Sequence, residues 1–171
     1  EKIQVEIENY KLLNSEISFI DPVYLTVDLS VKSSGESYNV GYKNTTELHI
    51  RRESRALINE ANLKSKIFNI ISTYIKKLKL GGTINVRDLN NDIEGIPGII
   101  DFSTVRTDSD ISIPGLSLCI YNPIYNGKDI KFIDSVLKLK PYQIPYIENE
   151  AVLKNKIKVT SALQSKTVIE Y

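Results

Sequence analysis

The sequence has no tryptophan and no methionine, and only one cysteine and one histidine among its 171 residues. The single cysteine, Cys119, excludes an internal disulfide and any zinc site built from several cysteines within this chain. The presence of a single histidine, His49, excludes the metal motifs that need two histidines. Because His49 is a lone ring with no nearby candidate ligands, we interpret it as a structural residue and not as a metal ligand or general base. No apolar run approaches the roughly 20 residues that cross a bilayer as a helix, and no signal peptide opens the chain. We therefore predict no membrane association.

The charges are nearly balanced, with 22 Lys and Arg against 21 Asp and Glu. Dedicated nucleic-acid binders usually carry a marked basic excess, so nucleic acid is not favoured as a partner. At 42% hydrophobic residues the chain is long enough and apolar enough to bury a core. Because the chain starts at Glu1 and lacks methionine, we expect it to be a fragment of a longer protein.

The chemical motifs of common enzymes are missing. Gly81-Gly82-Thr83 lacks the spacing of a phosphate-binding loop and follows a predicted helix instead of preceding one. Asp108 and Asp110 could bind a divalent cation, but they lie in a polar segment before Pro114-Gly115 that is typical of a solvated loop. We predict no catalytic residues, no cofactor, no metal and no enzymatic activity.

Residues 62–105 organise the predicted fold. Apolar residues recur at helical spacing from Leu63 to Leu78, and Gly81 and Gly82 are expected to end that helix. A short strand at 83–86 follows, then a second helix that carries Leu89 and Ile93 and that Asp88 is expected to cap. Glycine and proline at 95–98 stop it, and 99–106 reads as a strand.

Several further segments have the pattern of strands. The clearest is Val23–Lys32, which alternates between an apolar face and a mostly polar face. Shorter candidates are residues 38–43, 116–121, 131–134, 136–140, 157–160 and 168–169. Two prolines keep residues 141–147 extended, and we expect this segment to be an edge, an arm or an exposed piece and not a regular ladder strand.

The predicted class is α+β, a mixed β-sheet with two covering helices and a β-rich C-terminal tail. We divide the chain into a lead-in segment at 1–21, with a short helix and an extended piece, an α+β core at 22–107, and a β-rich arm or subdomain at 108–171.

A basic cluster follows the first strands, with Arg51, Arg52 and Arg55 close to His49. Acids at Glu47, Glu53 and Glu60 are interleaved with these bases. The cluster is either an anion-binding or nucleic-acid-binding patch, or a solvated face with local ion pairs.

The order of elements resembles a known family. The segments ISFIDPVYLTVDLSVK and GGTINVRDLNNDIEGIPGIIDF, joined by an amphipathic helix, are similar to the C-terminal part of the large baseplate wedge protein of T-even-type contractile-tailed phages, in the baseplate J-like group. The likeness spans residues 17–140. The residues that carry it are Asp21-Pro22-Val23-Tyr24, Gly81-Gly82, Val86, Leu89 and Ile96-Pro97-Gly98-Ile99.

The resemblance implies a structural role in the virion, as a wedge subunit fragment of a tail baseplate made in the host cytoplasm. The implied partners are copies of the same chain, as a dimer or ring-forming oligomer, and other baseplate wedge proteins. Apolar and tyrosine side chains around the Pro-interrupted segment are the candidate interface, because such a segment is hard to bury in its own core. The candidates are Tyr121, Ile124, Tyr125, Tyr142, Ile144 and Tyr146. The alternative function is an anion-binding or nucleic-acid-binding module that uses Arg51, Arg52 and Arg55.

Overall fold

A computed structural model describes residues 19–31, 45–125, 130–133 and 135–162. The expectations for residues 1–18, 38–43 and 168–169 lie outside this part of the chain. Within it, three α-helices combine with mixed sheets, so the predicted α+β class is confirmed. The helices are α1 (Glu60–Lys77), α2 (Val86–Glu94) and α3 (Glu150–Asn155), of which α3 was not predicted.

The described strands form two four-stranded sheets and one pair, instead of the single sheet expected. The strands, in chain order, are β1 (Val23–Leu29), β2 (Thr46–Arg52), β3 (Thr83–Asn85), β4 (Ile99–Arg106), β5 (Ser112–Pro114), β6 (Leu118–Tyr121), β7 (Lys131–Ile133), β8 (Val136–Lys138), β9 (Gln143–Tyr146) and β10 (Ile157–Ser161). The first sheet has the order β7-β6-β1-β9 and the second β10-β2-β4-β5, while β3 pairs with β8. Each four-stranded sheet contains one parallel pair, β1 with β9 or β2 with β10.

Helix α1 forms where its apolar periodicity predicts it. Asn59 caps its first turn by accepting a hydrogen bond from the Asn62 N–H at 2.8 Å. The helix ends at Leu78 in extended backbone, so the expectation that Gly81 and Gly82 end it is wrong. Gly81 does adopt a positive φ of 65°, but in the turn beyond, where its N–H donates to the Gln143 carbonyl at 2.9 Å.

Helix α2 also forms, but Asp88 does not cap it. The cap is Asn85, whose side chain accepts from the Arg87 N–H at 3.1 Å, and Asp88 lies in the first turn instead. Asn85 ends β3 in extended backbone, which is the conformation that an N-cap residue requires. The predicted strand at Ile99–Arg106 is observed with those bounds as β4.

One buried apolar cluster joins the helices to both four-stranded sheets. It contains Leu25 and Leu29 of the first sheet, Leu48 and Ile50 of the second, and the stripe on α1. The α1 residues in it are Leu63, Ile67, Phe68, Ile71 and Ile75. Both sheets combine strands from before and after residue 107: β1 pairs with β6 and β9, and β2 pairs with β10. The buried cluster also contains residues from both parts of the chain. The described part of 108–171 is therefore integrated with the preceding segment.

For residues 141–147, the expectation that they are not a regular ladder strand is wrong, and the expectation that they form an edge is confirmed. Gln143–Tyr146 is a ladder strand after all, since it pairs in parallel with residues 23–26 of β1. It is also an edge, as expected, because β9 is the last strand of its sheet. Pro145 has no N–H to donate, and the Gln143 carbonyl is already bonded to Gly81, so little of the outer rim of β9 is free for another strand.

Candidate interaction surface at the aromatic end of the first sheet

Exposed apolar side chains gather where β1 begins. Tyr24 of β1 is the cross-strand partner of Ile144 on β9, so the two side chains share a face. The Tyr146 ring meets the Tyr24 ring edge-to-face, with centroids 6.0 Å apart and planes at 88°. Tyr24 is 56% exposed in spite of this contact.

Tyr142 extends this row along the chain. It lies in the turn just before β9, which the Gln143 N–H closes by donating to the Lys140 carbonyl at 2.9 Å. Its carbonyl accepts from the Val23 N–H at 2.8 Å, and the Lys140 ammonium lies 5.9 Å from its ring centroid. Both Tyr142 and Ile144 are half-buried.

Two more predicted residues reach the same end of the sheet. β6 runs antiparallel to β1, with Tyr121 opposite Thr26, so the chain leaves β6 towards the start of β1. A 3-10 turn at Pro123–Tyr125 follows, on which Ile124 is 81% exposed and Tyr125 is also exposed. Together with Tyr24, Tyr142, Ile144 and Tyr146, these two residues form what we call the aromatic end.

The sixth predicted residue, Tyr121, is 3% exposed in this chain. It lies opposite Thr26, which is also buried, so this part of the sheet face is closed to solvent. Sequence reasoning missed Tyr24, because nothing in the residues around it shows that β9 places Ile144 and Tyr146 beside it. It also missed Phe19 and Ile20, two exposed side chains that directly precede the start of β1.

The arginine cluster does not converge on one point. Arg51 forms an exposed ion pair with Asp101 on the neighbouring strand β4. Arg52 is mostly buried and donates to the Ile58 carbonyl at 3.1 Å, with Glu60 at 3.8 Å. Arg55 is exposed on the loop after β2, where it lines a hollow of about 370 Å³ together with Glu53 and Leu57. These contacts match the expectation of a polar face with local ion pairs.

The two single-copy residues also have defined places. His49 Nε2 lies 2.8 Å from Glu47 Oε2 on the exposed face of β2, and Cys119 is fully buried on β6.

The acidic pair at 108 and 110 lies in a turn after β4. Asp108 accepts two hydrogen bonds from the Arg106 guanidinium, at 3.0 and 3.1 Å. These bonds lower the pKa of the Asp108 carboxyl below its ordinary 3.8. Across residues 19–31, 45–125, 130–133 and 135–162, no three His, Cys, Asp or Glu side chains are grouped as metal ligands would be.

A second, larger hollow of about 630 Å³ runs along the outer face of α1. Asn62, Asn69 and Thr73 line it with Tyr74, and Asp92 of α2 closes one side. The Tyr74 hydroxyl accepts a hydrogen bond from the N–H of Asn85, the N-cap of α2, at 2.7 Å. This bond connects α1 to the start of α2.

Comparison with protein-family models, with curated proteins and with solved structures found no match to this chain. No helix in the described ranges is both long enough and apolar enough to cross a membrane.

Proposed function

We propose that this chain is a structural assembly module that joins other protein subunits through the aromatic end. The observation that carries the proposal is the Tyr24–Tyr146 pair, two rings in edge-to-face contact beside a sheet edge, of which Tyr24 stays 56% exposed and Tyr146 is half-buried. Aromatic residues are enriched at protein interfaces because they bury a large area at a small cost in side-chain entropy. Rings already fixed by mutual contact lose even less freedom on binding.

The arrangement favours association through side chains and not through strand addition. Pro145 and the Gly81–Gln143 hydrogen bond protect the rim of β9. The faces of Tyr142, Ile144 and Tyr146 stay accessible to a partner that packs against them. The first partner we propose is a second copy of the chain, in a dimer or closed ring.

The setting we propose is the baseplate of a contractile phage tail, with other wedge subunits as further partners and the virion as the location. This part of the proposal is supported by the resemblance of residues 17–140 described above. Mass spectrometry of purified tail particles from the source virus should detect the chain as a stoichiometric component. Particles that lack it would contradict the baseplate setting while leaving the assembly surface open to test.

Self-association is tested by sedimentation velocity over a range of concentrations. The double variant Tyr24→Ser/Tyr146→Ser should remain monomeric where the parent chain associates, because it removes both rings of this pair. Leu57→Ser is the matched control, since Leu57 is a fully exposed apolar residue on the loop between β2 and α1. If the double variant associates as strongly as the parent chain, the aromatic end is not the interface.

A further inference from the structure

The loop between β2 and α1 and the turn between α2 and β4 together line the smaller hollow, of about 370 Å³. The Glu53 N–H donates to the Gly98 carbonyl at 2.8 Å, which joins the loop to the turn, and the Arg52 guanidinium donates to the Ile58 carbonyl at 3.1 Å. Gly98 approaches the loop so closely that a Cβ on it would lie 2.8 Å from the Ala56 Cβ. The walls of the hollow are therefore fixed by the fold, and its volume lies in the range of roughly 300–1,000 Å³ that is usual for small-molecule pockets.

Much of the lining of this hollow is apolar. Ala56, Leu57 and Ile58 contribute from the loop, and Ile96 and Pro97 contribute from the turn. Ile96 is 4% exposed and Ile58 packs against the buried cluster, so the core holds this part of the lining in place. An apolar group that enters the hollow gains about 25 cal/mol for each Å² that it removes from water. The hollow therefore suits an aliphatic side chain.

Three charged side chains line the same hollow. Arg55 and Lys66 are positive, and Glu53 is negative. All three are exposed, and among the described residues none of them has an ion-pair partner. Two cations and one anion beside an apolar lining are complementary to a ligand that carries a carboxylate, an ammonium group and an apolar body.

We propose that this hollow binds a free apolar α-amino acid of about the size of leucine. The Arg55 guanidinium pairs with the carboxylate of the ligand, because its planar donors match a carboxylate, and Lys66 adds a second positive charge. The Glu53 carboxylate pairs with the α-ammonium group, and the ligand side chain packs on Ile58 and Ile96. A phosphate ligand is disfavoured, because Glu53 would repel its negative charge. No residue of the aromatic end lines the hollow, so this binding is separate from the proposed assembly function.

The test is a titration of the full chain with L-leucine, followed by NMR of its isoleucine and leucine methyl groups. We expect saturable shifts of the Ile58 and Ile96 signals, with a dissociation constant on the order of 1 mM. The signal of Ile70, which lines the larger hollow, should stay where it is. Two analogues separate the charges: isocaproate lacks the ammonium group of leucine, and isoamylamine lacks its carboxylate. Each analogue should bind more weakly than leucine.

Single variants assign the charged groups. Arg55→Gln should weaken the binding of leucine and isocaproate by roughly two- to five-fold, as expected for exposed ion pairs, and should not weaken that of isoamylamine. Glu53→Gln should give the opposite pattern, with weaker binding of leucine and isoamylamine but not of isocaproate. Lys66→Gln should weaken leucine binding, whereas Lys77→Gln is the matched control, because Lys77 is on the same helix but lines only the larger hollow. These side chains are all exposed, so each variant should fold, which a thermal melt checks.

Three results would overturn the proposal. One is the absence of saturable shifts up to leucine concentrations on the order of 50 mM. Another is equal weakening by Arg55→Gln and Lys77→Gln, which would mean that only net charge matters. The third is binding of N-acetylleucine amide, which carries neither charge, as tightly as leucine. That result would assign the hollow to an apolar side chain of a partner protein and not to a free amino acid.

Discussion

Lys156 reaches across the interior from the end of α3 to Asp28, near the end of β1. Its ammonium group lies 2.9 and 3.0 Å from the two carboxylate oxygens, and both side chains are less than a tenth exposed. Asp28 Oδ1 also accepts from the Leu29 N–H at 2.8 Å. The pair connects the first sheet to the strand β10 of the second sheet, so it fixes the two sheets relative to each other.

Breaking this pair is expected to be costly. Lys156→Met leaves the Asp28 charge buried without its partner, and such changes lower the free energy of unfolding by about 3–5 kcal/mol. The double variant Asp28→Leu/Lys156→Met removes both charges and should be considerably more stable than the single variant. Urea denaturation of the parent chain and of these two variants measures the difference, with Lys138→Met at an exposed position of β8 as a neutral control. A single variant as stable as the control would show that the pair has no structural role.

Glu150 gives a prediction on pH dependence. The hydrogen bond from Lys76 lowers the pKa of Glu150 below its ordinary 4.5. A carboxyl whose pKa is lower in the folded state stabilises the fold above its unfolded pKa, and this contribution is lost as pH falls through the folded value. The contribution of Glu150 should therefore be complete well above pH 4.5, decline as the pH falls below 4.5, and be gone once the pH is below the lowered folded pKa.

NMR titration of the Glu150 carboxyl carbon checks this expectation. Lys76→Gln should return the pKa of Glu150 towards 4.5, while Lys77→Gln, one residue along the same helix, should leave it lowered. An unchanged pKa in Lys76→Gln would show that the α1–α3 contact does not form in solution.

At the scale of elements, the caps and turns decide where each helix and strand begins. α2 depends on Asn85 and not on Asp88, because only Asn85 combines extended backbone with a side chain that bonds the first turn. Asn85→Ala should therefore lower the free energy of unfolding by about 1 kcal/mol. Asp88→Ala should cost only the few tenths of a kcal/mol of its interaction with the helix dipole. If thermal or urea denaturation shows a larger loss of stability for Asp88→Ala than for Asn85→Ala, Asn85 is not the cap of α2.

Gly98 is the turn residue that tolerates change least. It has a φ of 91°, and a Cβ there would lie 2.8 Å from the Ala56 Cβ. Gly98→Ala should thus destabilise the fold by more than about 1 kcal/mol. Gly95→Ala is the comparison, because Gly95 has ordinary helical backbone and its Cβ would come no nearer than 3.3 Å to the Asn91 carbonyl. If both variants unfold at the same denaturant concentration, the left-handed turn at Gly98 is absent.

The elements that sequence could predict are those whose signal is local. The stripe from Leu63 to Ile75 predicted α1, and Pro97-Gly98 followed by alternating residues predicted β4 with its observed bounds. α3 was missed because six residues are too few to show a helical period, although Asn149 before Glu150 was a capping signal. The alternation along β1 predicted one mostly polar face, but it did not show that Thr26 and Asp28 on that face are buried. The residue that pairs with Asp28 in the interior, Lys156, lies 128 residues away in sequence.

At the scale of the whole molecule, the fold is held by pairs that are distant in sequence. β1 pairs with β9 about 120 residues later, and β2 pairs with β10 more than 100 residues later. No local pattern predicts such pairing, which is why residues 108–171 were expected from sequence to be a β-rich arm or subdomain. The same pairing gathers Tyr24, Tyr125 and Tyr146 at one end of the first sheet. The other residues of the aromatic end were therefore chosen from the sequence as single candidates. That they lie together, and that Tyr24 lies among them, became visible only in the fold.

Assembly through the aromatic end is tested most directly by following NMR signals on dilution. In a chain labelled at tyrosine rings and at isoleucine and leucine methyl groups, the signals of Tyr24, Ile144 and Tyr146 should shift together as concentration rises to about 1 mM, a level that detects even weak association. The methyl signals of Leu57 should stay where they are. If the signals of the aromatic end stay constant, or shift only together with those of Leu57, the chain does not associate through the aromatic end.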